Sequence, residues 1–486
     1  MSDNSVDGIE IGDGSADVSD SESSSNDDPG PVTCVKLPLA ENIAAYVNKI
    51  ELIRDIDPIE CNSSLIENVM NNYVIVKKII STLPWQEKLL CKHVCQTWHS
   101  AVLALQKEQL GPADFVIDLQ IASIKNGVKY KVSGLYYTEP LVVFTFTNTP
   151  AGFGVTNRCL ELVPSPCDPP CEMEHCLIDY VHRETTAPKD CMLTVRASYL
   201  SYMPLPQSIT YKHTLTQRMF RRSYPFIGGI YIPTIPDVQF HVINIQTNTD
   251  MQKEYFEVIK NIAQNRIFKG VLIYVTEKFL LHSEIEECSY LNYFKDVQPD
   301  IPYALGGCIV EDTMCEQSNI VPLVDCRNEG NYFVSENLIT IGMFTVPKDP
   351  NATDQGHKIN FEMYSLVLES SDWTKAKIQK TINEFSKKVP RFEHSVVLKL
   401  SCVGRDKKHE LEEDLFRAEF PNSRLVGCFG NGELGLNHPA RPVDEAPPSK
   451  RHRHDPGPEF GLIYSYSTVF VYIGWGKMTS SEGPAQ

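Results

Sequence analysis

The sequence predicts a small all-α helical bundle followed by two mixed α/β (α+β) domains, behind a disordered acidic N-terminal tail. Three observations predict it. Apolar residues between Val74 and Trp98 fall at helical spacings on either side of Pro84. From about residue 141 onward, short apolar runs alternate with amphipathic stretches, the pattern of strands mixed with helices. Residues 1–31 hold nine acidic residues and no Lys or Arg, so they supply 9 of the 17 net negative charges and too little apolar surface to fold.

In the helical segment, Ile75, Ile79, Ile80 and Leu83 form one stripe, and Leu89, Leu90, Val94 and Trp98 another. A helix seldom continues through a proline, so the break at Pro84 predicts two short helices at an angle. The segment is more apolar than one hairpin can bury, which implies an outer face made for another protein. Residues 105–135 read as a transition with a short helix or strand.

Strands are expected at Leu141 to Thr145, at Cys191 to Ala197 and across Tyr224 to Ile245. Met251 to Gln264 reads as a helix with Tyr255, Val258, Ile259 and Ile262 on one face. It is ended by Gly270 and followed by a strand at Val271 to Thr276. Further strands are expected at Asn337 to Val346, Tyr364 to Leu368, Val396 to Cys402, Leu425 to Phe429 and Leu462 to Trp475. Ser371-Asp372 is expected to cap a helix whose buried stripe is Ile378, Ile382, Phe385 and Val389, and Leu411 to Phe420 reads as a short helix. Residues 438–458 form a Pro-rich insertion, expected as an exposed loop, and Lys450-Arg451-His452-Arg453 within it has the look of a weak nuclear localisation signal.

Composition bounds the function. The chain has 486 residues, 42% of them hydrophobic and 22% charged, which suits a soluble globular protein of two or three domains. With a net charge of −17 and no basic stripe carrying interleaved aromatics, direct nucleic-acid binding is not expected. No apolar run reaches the ~18 residues of a membrane span, and the acidic N-terminus is unlike a signal peptide. The expected compartment is the cytoplasm, the nucleus or both, where the 15 cysteines would be reduced.

Two groups of residues carry candidate chemistry. Ser401-Cys402-Val403-Gly404-Arg405 and Gly427 to Gly435, with four glycines in nine positions, form strand-end turns where a ligand can approach bare N–H groups. Ala304-Leu305-Gly306-Gly307 is a third glycine motif. Arg405 is suited to clamp a carboxylate, and Glu433 to bind an amine or to pair with Arg405. Neither a P-loop nor a dinucleotide fingerprint is present. The candidate ligand or substrate groove is therefore Cys402, Arg405, Gly430, Asn431, Gly432 and Glu433. Cys402, near an arginine, is a candidate for a lowered pKa, although a buried inert thiol is the commoner outcome at the end of an apolar strand. Cys159, Cys167, Cys171, His175 and Cys176 could ligate zinc. A structural site normally has two well-spaced pairs, however, and the prolines of SPCDPPC read as a loop, so no metal ligand and no cofactor are assigned.

The order Ile79-Ile80, Leu83, Leu89-Leu90, Val94-Cys95, Trp98 resembles an F-box, with Val-Cys-x-x-Trp its most specific part. The usual opening of Leu-Pro and a Glu is replaced here by Asn71-Asn72-Tyr73-Val74. Ser-Cys-Val-Gly-Arg followed about 25 residues later by Phe-Gly-Asn-Gly-Glu-Leu-Gly resembles the C-terminal half of a FIST module, and Leu305-Gly306-Gly307 fits the end of its N-terminal half. The chain thus resembles the family of F-box proteins that carry FIST N-terminal and C-terminal domains, with boundaries at 62–106, 107–307 and 308–486 behind a tail at 1–32. That resemblance implies a non-catalytic substrate receptor of a Skp–cullin–F-box (SCF) ubiquitin ligase. Ile79, Ile80, Leu83, Pro84, Leu89, Leu90, Val94 and Trp98 would dock on a Skp-type adaptor bound to a cullin. The FIST region would hold an unidentified protein destined for the proteasome. The alternative is a FIST-type sensor of an amino-acid-like small molecule with a regulatory F-box appendix.

Overall fold

The computed structural model describes residues 63–120, 125–148, 151, 157–165, 167, 169–175, 177–188, 191–203, 225–246, 251–282, 293–314, 337–348, 360–369, 372–440 and 463–479. The acidic tail, Cys176, Ser371, the basic run at 450–453 and most of the 438–458 insertion lie outside them. All the described residues belong to one compact unit.

Strand predominates over helix among them. Three large sheets are present, with a two-stranded ribbon beside them. The seven-stranded sheet runs Asp312–Met314, Met192–Arg196, Pro140–Thr147, Phe226–Pro233, Ala113–Gln120, Asn126–Ser133 and Leu162–Val163. The six-stranded sheet runs Gln239–Gln246, Asn337–Pro347, Arg266–Thr276, Ala304–Val310, Glu433–Leu436 and Ile463–Tyr464. The five-stranded sheet runs Asn360–Leu368, Thr468–Thr479, Arg391–Cys402, Arg424–Gly430 and Tyr199–Met203. Strands from either side of residue 307 share each of these sheets.

The sheets meet at a common core. Phe144 and Ile230, Leu272 and Tyr274, and Val396, Val426 and Trp475 come from the three sheets in turn, and all pack into it. Each outer face is covered separately. The helix Met251–Asn265 lies on the six-stranded sheet, packing Tyr255 and Ile259 against Phe268 and Ile341. The helices Lys375–Lys388 and His409–Glu419 cover the five-stranded sheet, and the helix Asp179–Thr185 packs on the seven-stranded one. Strands buried on both faces read as continuous apolar runs, which is why 271–276 and 396–400 were legible as strands.

The expected fold class is corrected by this architecture. The described residues form a mixed α/β body dominated by strand, not an all-α bundle followed by two α/β domains. The helices Ser63–Asn71, Tyr73–Ile80, Trp85–Cys91 and Gln96–Glu108 enclose only a small interior of Val76, Ile80, Ala101, Val102 and Leu105. They are bonded into the α/β body as well. Trp85 N–H donates to Tyr136 O at 2.9 Å, and Lys88 Nζ to Tyr137 O at 3.0 Å. Trp475 Nε1, from the five-stranded sheet, donates to Leu110 O at 2.8 Å just beyond the last helix. That five-residue cluster is small for the core of an independent domain.

Several local expectations shift too. A second break at His93 to Cys95 separates the helices on either side of it. The stretch expected as a transition at 105–135 contains the antiparallel strands Ala113–Gln120 and Asn126–Ser133. Gly270 does not end a helix. It lies inside the strand Arg266–Thr276, where a Cβ would come 2.3 Å from Met363 Cε and Sδ. Thr374, not Ser371-Asp372, caps the helix Lys375–Lys388, its side chain accepting from Lys377 N–H at 3.3 Å.

Gly427 is set by close packing between parallel strands. A Cβ there would stand 1.8 Å from Lys399 O and 2.6 Å from its carbonyl carbon, and neither backbone atom can swing aside. Gly427→Ala is therefore expected to destabilise the chain by about 3 kcal/mol or more, read as a fall in the urea midpoint.

Candidate functional site

The helical segment presents apolar side chains to both sides. Asn72, where the resembled motif has proline, caps the helix Tyr73–Ile80, its Oδ1 accepting from Val74 N–H at 3.1 Å and Ile75 N–H at 3.2 Å. The run Tyr73-Val74-Ile75-Val76 then wraps apolar residues around one helical turn. Val76 and Ile80, one turn apart, face inward. The others face out: Val74 is 73% exposed, Ile79 45% and Val94 53%, with Tyr73 and Ile75 also exposed.

The residues expected to dock divide accordingly. Ile79, Pro84 and Val94 are exposed, Leu83, Leu90 and Trp98 are half-buried, and Ile80 and Leu89 lie in the interior. Trp98 also ties the segment together, its Nε1 donating to Met70 O at 3.2 Å. Tyr73 and Val74 are exposed and were missed, and Ile75, read as part of the first stripe but not as a docking residue, is exposed too. Their signal was an apolar run too continuous for a one-sided helix.

The second group lies where the parallel strands Arg391–Cys402 and Arg424–Gly430 end. Ligands commonly bind at such strand ends. Here the polar side chains are engaged with one another. Arg405 is fully buried, its Nε donating to Glu412 Oε1 at 2.7 Å and its Nη1 to Tyr466 O at 2.7 Å. Glu412 Oε2 accepts from Thr468 Oγ1 at 2.7 Å, and Thr468 meets Ser401 Oγ at 2.7 Å. Lys399 Nζ, also buried, donates to Glu413 Oε1 at 2.8 Å. Burial, together with the Lys399 and Arg405 charges, pushes His409 down to about 2, so its ring is neutral at pH 7.

Glu433 does not pair with Arg405. Its Oε2 accepts from Ser467 Oγ at 2.8 Å and Ser467 N–H at 3.2 Å, and its side chain is fully buried. Burial pushes its carboxyl up to about 8, against the opposing pull of Ser467 and Arg405. The Cys402 thiol is raised, not lowered, first by burial and then by the Glu433 charge.

The glycines serve packing. A Cβ on Gly430 would lie 2.4 Å from Ile309 O, and one on Gly432 2.8 Å from Ile309 Cδ1. Asn431 N–H donates to Ile309 O at 2.9 Å, and Gly432 O accepts from Ile309 N–H at 2.8 Å. The turn carries the chain from the five-stranded sheet into the six-stranded one. The guanidinium, the carboxylate and the turn backbone that a small amphoteric ligand would use are thus engaged internally. Sequence reasoning missed Lys399, His409, Glu412 and Glu413. Their only signal was charge at inward positions of an amphipathic helix and a strand.

Glu433 makes stability depend on pH with a definite sign. Its folded pKa lies above the ordinary 4.5, so the native state holds a proton that the unfolded chain releases. This contribution is fully present below the unfolded pKa and is lost as pH rises from there through about 8. Glu433→Gln keeps an acceptor for Ser467 and removes the titration. Its melting temperature should exceed that of the native chain by several degrees at about pH 8 and converge on it near pH 4.

Among the described residues, no helix is long and apolar enough to cross a membrane. Neither a family model nor a curated protein matches the sequence. Among solved structures, the chain is similar to cyanuric acid hydrolase from A. caulinodans at 7% identity, covering 76% of this chain and 100% of that one with a TM-score of 0.28. A likeness of that size carries no argument about chemistry.

Proposed function

We propose that this chain is the substrate-binding subunit of an SCF-type ubiquitin ligase, acting in the cytoplasm or nucleus. The observation that carries the reading is the exposure of five apolar side chains, Tyr73, Val74, Ile75, Ile79 and Val94. Exposed apolar side chains scattered singly need no explanation, but five within about 22 residues of one helical segment mark an interaction surface. The F-box resemblance names the partner: a Skp-type adaptor that in turn holds a cullin. Burial of a few such side chains is what such an interface draws its affinity from.

The chain then contributes placement rather than chemistry. The helical segment fixes the chain on the ligase, and the α/β body holds the protein to be ubiquitinated for proteasomal degradation. Holding both raises the effective concentration of the target near the ubiquitin carrier. The test is co-purification of the full chain with the adaptor and cullin. Recovery of a stoichiometric complex is expected. A chain that stays free in the presence of excess adaptor would overturn the reading.

A further inference from the structure

The two-stranded ribbon pairs Asn157–Arg158 with Glu174–His175, and Cys159 N–H donates to Met173 O at 2.9 Å just past it. This pairing sets Cys159 beside His175, although 15 residues separate them in sequence. The intervening segment turns back through Cys167 and Cys171. The ligand atoms of Cys159, Cys167, Cys171 and His175 all lie within 4.8 Å of one another. His175 Nε2 is 3.0 Å from Cys171 Sγ and 3.5 Å from Cys167 Sγ. Three of the four residues are buried and Cys171 is half-buried.

Tetrahedral zinc geometry supplies the comparison. With Zn–S near 2.3 Å and Zn–N near 2.0 Å, adjacent ligand atoms stand ~3.5–3.8 Å apart. The separations of 3.0 Å and 3.5 Å and the outer limit of 4.8 Å bracket that range. The imidazole is already oriented: its Nδ1 lies 3.1 Å from Asp179 Oδ2, the first residue of the helix Asp179–Thr185. A carboxylate on the far nitrogen fixes the tautomer that presents Nε2 to a metal. None of the three cysteines is in a disulfide. From the helix Asp179–Thr185, Tyr180 OH donates to Pro164 O at 2.6 Å and Arg183 Nη1 to Ser165 O, and Cys159 Sγ lies 2.9 Å from Ser165 Oγ.

We propose that Cys159, Cys167, Cys171 and His175 bind a structural zinc ion that fastens this loop onto the seven-stranded sheet. Three thiolates and one imidazole complete the tetrahedron and leave no open position for a reacting water, so the ion supports the fold and performs no hydrolysis. Cys167 and Cys171, which read as part of a plain loop in sequence, bring their Sγ atoms to the same point. The binding is a ligand exchange without redox change: each thiol gives up its proton to solvent as its sulfur binds the metal.

The full chain, purified without chelator and dialysed, should carry about one equivalent of zinc by elemental analysis. Replacing zinc with cobalt should give the visible bands and thiolate charge-transfer absorption of a tetrahedral, sulfur-rich site. Cys171→Ser should lose most of the metal. If that variant does not fold, the native chain still decides. Its Cys159, Cys167 and Cys171 should resist iodoacetamide until the metal is stripped, as read by peptide mass mapping. A chain without zinc, a disulfide among these cysteines, free alkylation in the zinc-bearing chain, or undiminished zinc in Cys171→Ser would each overturn the proposal.

Discussion

Arg405→Ala is expected to lower the stability of the chain by about 3–5 kcal/mol, seen as a large fall in the urea midpoint with little change in slope. Both Arg405 and Glu412 have fully buried side chains, joined at 2.6 Å and 2.7 Å. Deleting the guanidinium leaves the Glu412 carboxylate in the interior with only Thr468 Oγ1 donating to it, and leaves Tyr466 O without its donor. Burying an unpaired charge is among the most costly single changes available to a fold. Arg405→Lys is expected to rescue little, since one ammonium cannot reach both acceptors of the planar fork. The exposed pair Lys380–Glu384 provides the control, and Lys380→Ala should change stability by less than about 0.5 kcal/mol. The same experiment separates two roles for Arg405. A ligand clamp would lose ligand binding at small cost in stability, whereas a structural pair loses stability outright. A loss below about 1 kcal/mol would mean that the pair is not buried as described.

Much of this core was legible from pattern alone. Ile378, Ile382 and Phe385 sit on the buried stripe of the helix Lys375–Lys388, as their spacing predicts. The strands expected at 141–145, 337–346 and 425–429 all form, each a little longer than the apolar run that marked it. Position along the chain misled where packing between distant segments decides. The hairpin of Ala113–Gln120 and Asn126–Ser133 was unread because buried Asp114 and Asp118 break its apolar run. Asp114 is matched by Arg424, 2.8 Å away and 310 residues later in the chain. Sheet membership was equally hidden: Tyr199–Met203 pairs with Arg424–Gly430, a contact no local signal announces.

The candidate sites divide in the same way. The helical face was readable because amphipathic spacing is local, yet the inward and outward positions could not be assigned until the second break at His93 to Cys95 was placed. The ligand groove expected at Arg405 and Glu433 was not realised as drawn, because Glu412 and Ser467 answer those charges from other elements. Cys159 and His175 meet only because a two-residue ribbon pairs them.

The second large effect concerns binding and not folding. Val94 is 53% exposed and caps no interior contact, whereas Ile80 is fully buried beside Val76 and Leu105. Val94→Asp should therefore leave the melting temperature within about a degree of the native value, while a charge among the apolar side chains proposed to dock should cost about 2 kcal/mol of affinity, roughly thirtyfold. Ile80→Asp places the same charge in the interior and should unfold the helical segment.

Quantitative capture of a purified Skp-type adaptor by the native chain and by Val94→Asp, each first shown to be folded, is the most direct test of the ligase reading. The native chain is expected to hold the adaptor through washing, while Val94→Asp does not. Equal capture by both chains, or none by the native one, would contradict it.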